Sequence, residues 1–257
     1  MSVRPKKHLG QHFLRDQRTV QRIADLLQAP ESATVIEIGP GQGVLTEKLI
    51  PRYPHLHVIE VDPEAVAWLQ AHVAVPEGQL IHHDVLAWNP ESLGAAAYIG
   101  NLPYNISSPI FFHLLDHRHL VQEGVFMVQK EVANRLCAVP GNKEYGILSV
   151  LLGAFFDLKY AFTVAPGAFN PPPKVQSGVF RMTPRAEPEA VSYPHLKLVV
   201  KAAFNQRRKT LRNALKGLSF TDFPELSAWL DLRAEQLDIP SFITLTRHLQ
   251  TGGPAKA

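Results

Sequence analysis

Four adjacent residues, Asn101-Leu102-Pro103-Tyr104, combine an amide, a rigid turn residue and a phenol. They follow the apolar run Ala95-Ala96-Ala97-Tyr98-Ile99 and Gly100, and precede Ser107-Ser108-Pro109, which opens an amphipathic helical pattern. A polar and aromatic tetrapeptide at the carboxyl end of a buried strand lies where open α/β sheets bind their ligands. Asn and Pro are also ordinary turn formers, so these four residues alone are equally a connecting turn.

A second set of residues supplies a nucleotide signal. Thr34-Val35-Ile36-Glu37-Ile38 reads as a buried strand running into Gly39-x-Gly41-x-Gly43. Glycines admit a ligand close to the backbone, and a helix continuing from Val44 would offer free N–H groups to a carboxylate or phosphate. A dinucleotide fingerprint would need its third glycine at the position of Val44. Glu60 ends the next strand, 21 residues after Gly39, where an acid can hold both ribose hydroxyls. Asp84 ends a third strand and can accept from an adenine amino group. Each acid alone is an ordinary strand-end residue. Together they indicate an adenosine-containing ligand, and the displaced glycine favours S-adenosylmethionine over NAD.

With an activated methyl donor beside it, the tetrapeptide acquires a chemistry. The exocyclic amine of adenine is a poor nucleophile because its lone pair is delocalised into the ring. Two acceptors on its N–H hydrogens, the Asn101 side-chain oxygen and the Leu102 carbonyl, would turn that lone pair toward the methyl group. Pro103 would fix the turn and Tyr104 stack on the base. Enzymes acting on nucleic-acid bases take the base out of its stack, so a pocket with aromatic walls is expected. Phe169 is the candidate for the opposite wall, or a core phenylalanine. No metal is expected: His113 and His117 stand at i, i+4, but a metalloprotease pair needs Glu at 114, which is Leu114.

The elements that must position these groups follow from periodicity. A helix from Asp16 carries Val20, Ile23, Ala24 and Leu27 on one face and stops at Pro30. Strands are expected over 34–39, 57–62, 80–84, 95–101 and 124–129, alternating with helices, which predicts a mostly parallel sheet. After Tyr145 the apolar stretch 151–164, a proline-rich loop at 171–173 and an alternating segment 175–182 suggest an antiparallel pair at the sheet edge. Only helices follow, over 193–216, 222–230 and 241–250. The predicted organisation is an α/β domain over 1–184 with a basic N-terminal segment, a small all-helical domain over 185–250, and a loose tail over 251–257.

The chain has 257 residues, 46% hydrophobic and 19% charged, with one cysteine, Cys137. That composition suits a globular protein in a reducing compartment, and neither a membrane-spanning run nor a signal-peptide core is apparent, so a cytoplasmic location is expected. The net charge of +3 conceals a segregation. Residues 19–160 hold 8 basic and 15 acidic groups, while the flanks hold 18 and 8. Basic flanks around an acidic middle suggest a polyanionic partner, against the plainer alternative of solvated surface charge. Lys197, Lys201, Arg207, Arg208, Lys209, Arg212 and Lys216 occupy a stretch without an acid, with Leu198, Val199, Phe204, Leu211 and Leu215 expected to pack it down.

Several motifs in order resemble the small-subunit ribosomal RNA adenine N6,N6-dimethyltransferases. They are Gly10-Gln11-His12-Phe13-Leu14, Glu37-Ile38-Gly39-Pro40-Gly41, Ile59-Glu60-x-Asp62 and Asn101-Leu102-Pro103-Tyr104-Asn105-Ile106-Ser107. Gln129-Lys130-Glu131-Val132-x-x-Arg135, Phe169-x-Pro171-Pro172-Pro173-Lys174-Val175-x-Ser177 and Phe204-x-x-Arg207-Arg208-Lys209-x-Leu211 complete the set. The resemblance runs from about Lys6 to Leu249. It implies a Rossmann-like methyltransferase sheet with a helical C-terminal domain, and S-adenosylmethionine held by His12, Leu14, Gly39, Gly41, Glu60, Asp84 and Asn101. It also implies a target adenine held by Asn101 to Tyr104. Most bacterial members carry Asn at the position of His12, where an imidazole can still donate or accept. The implied substrate is a pair of adjacent adenosines in the terminal hairpin loop of small-subunit rRNA, modified late in assembly. Lys6, Lys7, Lys197, Lys201, Arg207, Arg208, Lys209 and Arg212 are then the expected RNA contacts of a monomer. A large-subunit methylase, or an assembly or transcription factor without activity, are the alternatives on the same fold.

Overall fold

The computed structural model describes Val3, Pro5, Lys6 and residues 10–186 and 190–250. Two compact units emerge, Met1–Ala133 with Leu158–Pro184, and Asn134–Asp157 with Arg185–Ala257. The helical unit therefore includes 134–157, a stretch that sequence patterning left with the sheet.

The first unit is built on a seven-stranded sheet. Its strands are β2 (Val35–Ile38), β3 (Leu56–Glu60), β4 (Leu80–His82), β5 (Ala96–Asn101), β6 (Val121–Gln129), β7 (Phe156–Val164) and β9 (Ser177–Pro184), in the order β4-β3-β2-β5-β6-β9-β7. The first five are parallel, and β9 pairs antiparallel with β6, with Gln129 opposite Ser177 and Gly124 opposite Met182. Two further short strands, β1 (Phe13–Leu14) and β8 (Phe169–Asn170), pair with each other outside this sheet.

The core explains the apolar strands. Alternate residues of a strand face opposite sides. Val125, Met127 and Val179 join Val20, Ile23, Ala24 and Leu27 of helix α1 (Gln17–Leu26) and its C-cap in one apolar cluster. Phe126 and Phe180 point the other way, where Phe111 of α4 (Ser107–Asp116) meets Phe126 edge-on at 5.4 Å. Helix α1 begins at Asp16, whose carboxylate accepts from the Thr19 N–H at 3.0 Å, a cap that satisfies one of the free amide groups there.

Strand order decides where a ligand can enter. From β2 the chain moves to β3 and β4 on one side, then returns to place β5 on the other side of β2. The carboxyl ends of β2 and β5 thus flank the switch point, and Gly39 and Asn101 lie at those ends.

Two expectations are corrected. No helix starts at Val44: Gly39, Gly41 and Gly43 have φ of 67°, 57° and 81°, left-handed values that keep the backbone in turns, and α2 covers only Thr46–Leu49. The helix expected over 193–216 is two helices, α7 (Tyr193–Asn205) and α8 (Leu211–Ala214), separated by turns that contain Arg207, Arg208 and Lys209. Val199, Phe204, Leu211 and Leu215 are buried as expected, but Leu198 is 48% exposed.

Candidate active site

A cavity of about 280 Å³ opens at the switch point. Its wall includes His12, Leu14, Gly39, Gly41, Glu60, Asp84, Asn101, Leu102, Pro103 and Tyr104. Residues from five separate stretches of sequence are therefore brought around one space.

The glycine loop and Glu60 form one end. Glu60 is 5% exposed. One carboxylate oxygen accepts from the N–H groups of Val61 and Asp62, both at 2.9 Å, and the other accepts from Gly41 N–H at 3.1 Å. Burial raises its pKa, while the hydrogen bonds from Asp62, Gly41 and Val61 oppose that rise. Backbone donors thus aim this acid before any ligand arrives. A side chain at Gly41 would bring its Cβ to 2.9 Å from the Phe13 ring, so the loop and the N-terminal segment close on each other only with glycine there. Asp84 sits two residues beyond the end of β4 and accepts from Leu86 N–H at 2.9 Å. Val61, Val85 and Leu86 add apolar wall beside it. A buried carboxylate, a second acid and apolar walls fit an adenosine-containing donor.

The tetrapeptide forms the other end. Asn101 donates from Nδ2 to the His12 carbonyl at 3.0 Å. A carbonyl only accepts, so the opposite end of this amide is Oδ1, an acceptor. Leu102 N–H donates to the Met127 carbonyl at 3.0 Å, tying the turn to β6. The Tyr104 hydroxyl lies 2.6 Å from Ser177 Oγ. Burial raises the Tyr104 pKa, and the Ser177 contact opposes that rise. Its phenol is neutral through the physiological range.

Phe169 does not line this cavity. Its ring is 4% exposed and packs in the apolar cluster with Leu14, Val20, Ile23 and Val164, because the β1–β8 pairing turns it inward opposite Leu14. A ring that does meet Tyr104 is His12, with centroids 5.4 Å apart and planes tilted by 32°. The His12 Nδ1 is 2.9 Å from the Pro171 carbonyl and so carries a hydrogen.

The structure adds residues that had no assigned role. Glu37 lines the cavity fully buried, accepting from Thr46 Oγ1 at 2.7 Å. Burial first, eased by Thr46 and increased by the charge of Glu60, pushes its pKa up to about 8. Asp62, Gln11 and Ser177 stood within the quoted motifs, which was the only signal they gave. Among the described residues no histidine, cysteine and carboxylate group could hold a metal ion.

The expected RNA contacts divide. Lys7 lies outside the described residues. Lys6 is drawn inward, 2.6 Å from Asp62 and 3.2 Å from Glu64. In the helical unit Lys201, Arg208 and Lys209 are exposed. Lys197 lies over the Tyr193 ring at 5.2 Å. Arg207 donates to the Lys143 carbonyl and lies 3.9 Å from Glu235, and Arg212 donates to Asp231 at 2.8 Å. The stretch that lacked acids in sequence therefore acquires two from elsewhere.

Comparison with known proteins decides the family, since the model for ribosomal RNA adenine dimethylase matches residues 3–245. The chain belongs to the ribosomal RNA adenine dimethylase family. A family member from Parabacteroides distasonis, ribosomal RNA small subunit methyltransferase A, is 48% identical, the match covering 96% of each chain. The protein of that name from Flavobacterium johnsoniae is 45% identical over 98% of each. Among solved structures, a dimethyladenosine transferase from Plasmodium falciparum aligns with TM-score 0.78 at 25% identity, covering 91% of this chain and 96% of that one.

Proposed function

We propose that this protein transfers methyl groups from S-adenosylmethionine to the N6 amines of two adjacent adenosines in the 3′-terminal hairpin loop of small-subunit rRNA. The observation that carries the reading is the Asn101 amide, whose Nδ2 is committed to the His12 carbonyl, leaving Oδ1 as an acceptor on the wall of the cavity.

S-adenosylmethionine supplies a methyl group on a sulfonium, activated for in-line attack. The chain supplies placement. The glycine loop, Glu60 and Asp84 hold the adenosine part, with Glu60 already aimed by three backbone N–H groups. Asn101 Oδ1 and the Leu102 carbonyl grip the hydrogens of the target amine and direct its lone pair toward the methyl carbon. Tyr104, its hydroxyl held by Ser177, offers a ring face to the base. No titrating base is required: the proton leaves from an amine made acidic by methylation. The His12 ring, with its centroid 5.4 Å from that of Tyr104, stands beside this face.

Small-subunit RNA is favoured over large-subunit RNA by the names of the relatives at 45–48% identity. The intact pocket argues for an enzyme rather than an inactive assembly factor. Exposed Lys201, Arg208 and Lys209 supply shape-reading contacts to folded RNA. The protein acts as a monomer in the cytoplasm. Incubation with labelled donor and undermethylated small subunits, followed by nucleoside mapping, tests the reading. Dimethyladenosine at the adjacent pair is expected; label in large-subunit RNA, or none at all, refutes it.

A further inference from the structure

The motif Ile59-Glu60-x-Asp62 contains two acids, and the donor site uses one. Asp62 is 1% exposed and begins helix α3 (Pro63–His72), where it accepts from Glu64 N–H at 3.0 Å. Its carboxylate also reaches the N-terminal segment. Lys6 Nζ donates to one oxygen at 2.6 Å and Gln11 Nε2 to the other at 3.1 Å. Gln11 Oε1 in turn accepts from the Lys6 backbone N–H at 3.0 Å, closing a ring of three residues.

Helix capping does not explain the charge, since Asn caps a helix as well as Asp. The carboxylate is matched to a cation, and a buried carboxylate stripped of its partner is costly. Burial raises the Asp62 pKa, but hydrogen bonds from Lys6, Gln11 and the Glu64 N–H, with the Lys6 charge, together outweigh it and hold the carboxyl below its ordinary value.

What these bonds hold is a wall. Gly10, Gln11, His12, Phe13 and Leu14 all line the cavity. On the side of the tetrapeptide the segment is held by Asn101, which donates to the His12 carbonyl. Gly10 has φ of 62°, and a Cβ there would lie 2.6 Å from Asn105 Oδ1. On the side of β3 the polar anchor is Asp62. We propose that Asp62 is a positioning residue for the methyl donor, acting through Lys6 and Gln11 to close residues 10–14 against the donor cavity.

This inference rests on the reading that the cavity takes S-adenosylmethionine. The experiment is calorimetric titration of the full chain with S-adenosylmethionine, with thermal unfolding of the donor-free protein alongside. Asp62→Asn keeps the helix cap and is expected to raise the donor Kd about tenfold with little change in Tm. Lys6→Met is expected to raise the donor Kd similarly but with a lower Tm, since it leaves the Asp62 carboxylate buried without its cation. The double variant should raise Kd no further than either single one, because both disrupt the same Lys6–Asp62–Gln11 network. Amide exchange over residues 10–14 should quicken in each variant. A donor Kd within twofold of the parent in Asp62→Asn and Lys6→Met overturns the inference. So does a Lys6→Met variant that loses rRNA affinity while keeping donor affinity, which would return Lys6 to the RNA footprint. Glu60→Ala separates the two levels. If it abolishes donor binding while Asp62→Asn does not alter it, only the positioning role falls; if Glu60→Ala also has no effect, the donor site itself is elsewhere.

Discussion

Replacing Glu37 by Gln should change how stability depends on pH, by an amount set by burial. The Glu37 carboxyl is fully enclosed at the end of β2, with the Thr46 hydroxyl as its hydrogen-bond donor at 2.7 Å and Glu60 as a nearby like charge. Its folded pKa of about 8 exceeds the ordinary 4.5. Below 4.5 the group is protonated in both states and favours neither. Between 4.5 and 8 the unfolded chain loses a proton that the fold retains, so stability falls as pH rises, and it levels off above 8. At ~1.4 kcal/mol per pH interval, the cost approaches about 3 kcal/mol at pH 7 and about 5 kcal/mol above pH 8. Glutamine is isosteric, still accepts from Thr46, and never ionises. Urea unfolding of both proteins from pH 5 to 8.5 reads the difference, because other titrating groups cancel. The Gln variant should be nearly equal at pH 5 and more stable by a few kcal/mol at pH 8.5. Parallel stability curves, or a variant less stable at alkaline pH, would refute the claim that Glu37 is held protonated.

Three further outcomes are expected. Asn101→Ala should lower turnover by about 10²–10³, the scale of one transition-state hydrogen-bonding group, while rRNA binding in a filter assay stays within about twofold; equal loss of both would make Asn101 a substrate anchor. Ser177→Ala leaves the half-buried Tyr104 hydroxyl without its Ser177 partner and should lower kcat by about tenfold with KM for RNA little changed, an effect absent in a Tyr104→Phe background, where no hydroxyl remains to be held. Arg208→Glu with Lys209→Glu should weaken rRNA binding and flatten the log Kd against log salt slope by about 1.5, two phosphate contacts' worth; an unchanged slope would remove both residues from the interface.

Much of the sheet was legible because its strands are short apolar runs ending in chemically distinctive residues. The β2, β3 and β5 runs are nearly all buried, and a segment buried on both faces carries an uninterrupted apolar signature. The order β4-β3-β2-β5-β6 was not legible, since local pattern does not encode which strand lies beside which. The break between α7 and α8 was missed for a related reason. Residues 206–210 continue a helical composition, but Thr210 makes a bridge to Arg233, and tertiary pairing overrides weak local preference there.

The site divides along the same line. Residue types and spacing singled out the glycine loop, Glu60, Asp84 and the tetrapeptide, which the fold brings around one cavity, because each has a chemistry that few other residues supply at such a position. What the residue pattern did not contain is which hydrogen bond each group has already made. Only the folded chain brings the His12 carbonyl to the Asn101 amide, Ser177 to the Tyr104 hydroxyl and Asp62 to Lys6. Those contacts join residues 89, 73 and 56 positions apart. They turn Asn101 into an acceptor facing the cavity and draw Lys6 away from the expected RNA surface, while the β1–β8 pairing sets Phe169 opposite Leu14 in the core. Orientation, partner and burial arise where distant segments meet, and it is there that the role of each marked residue is decided.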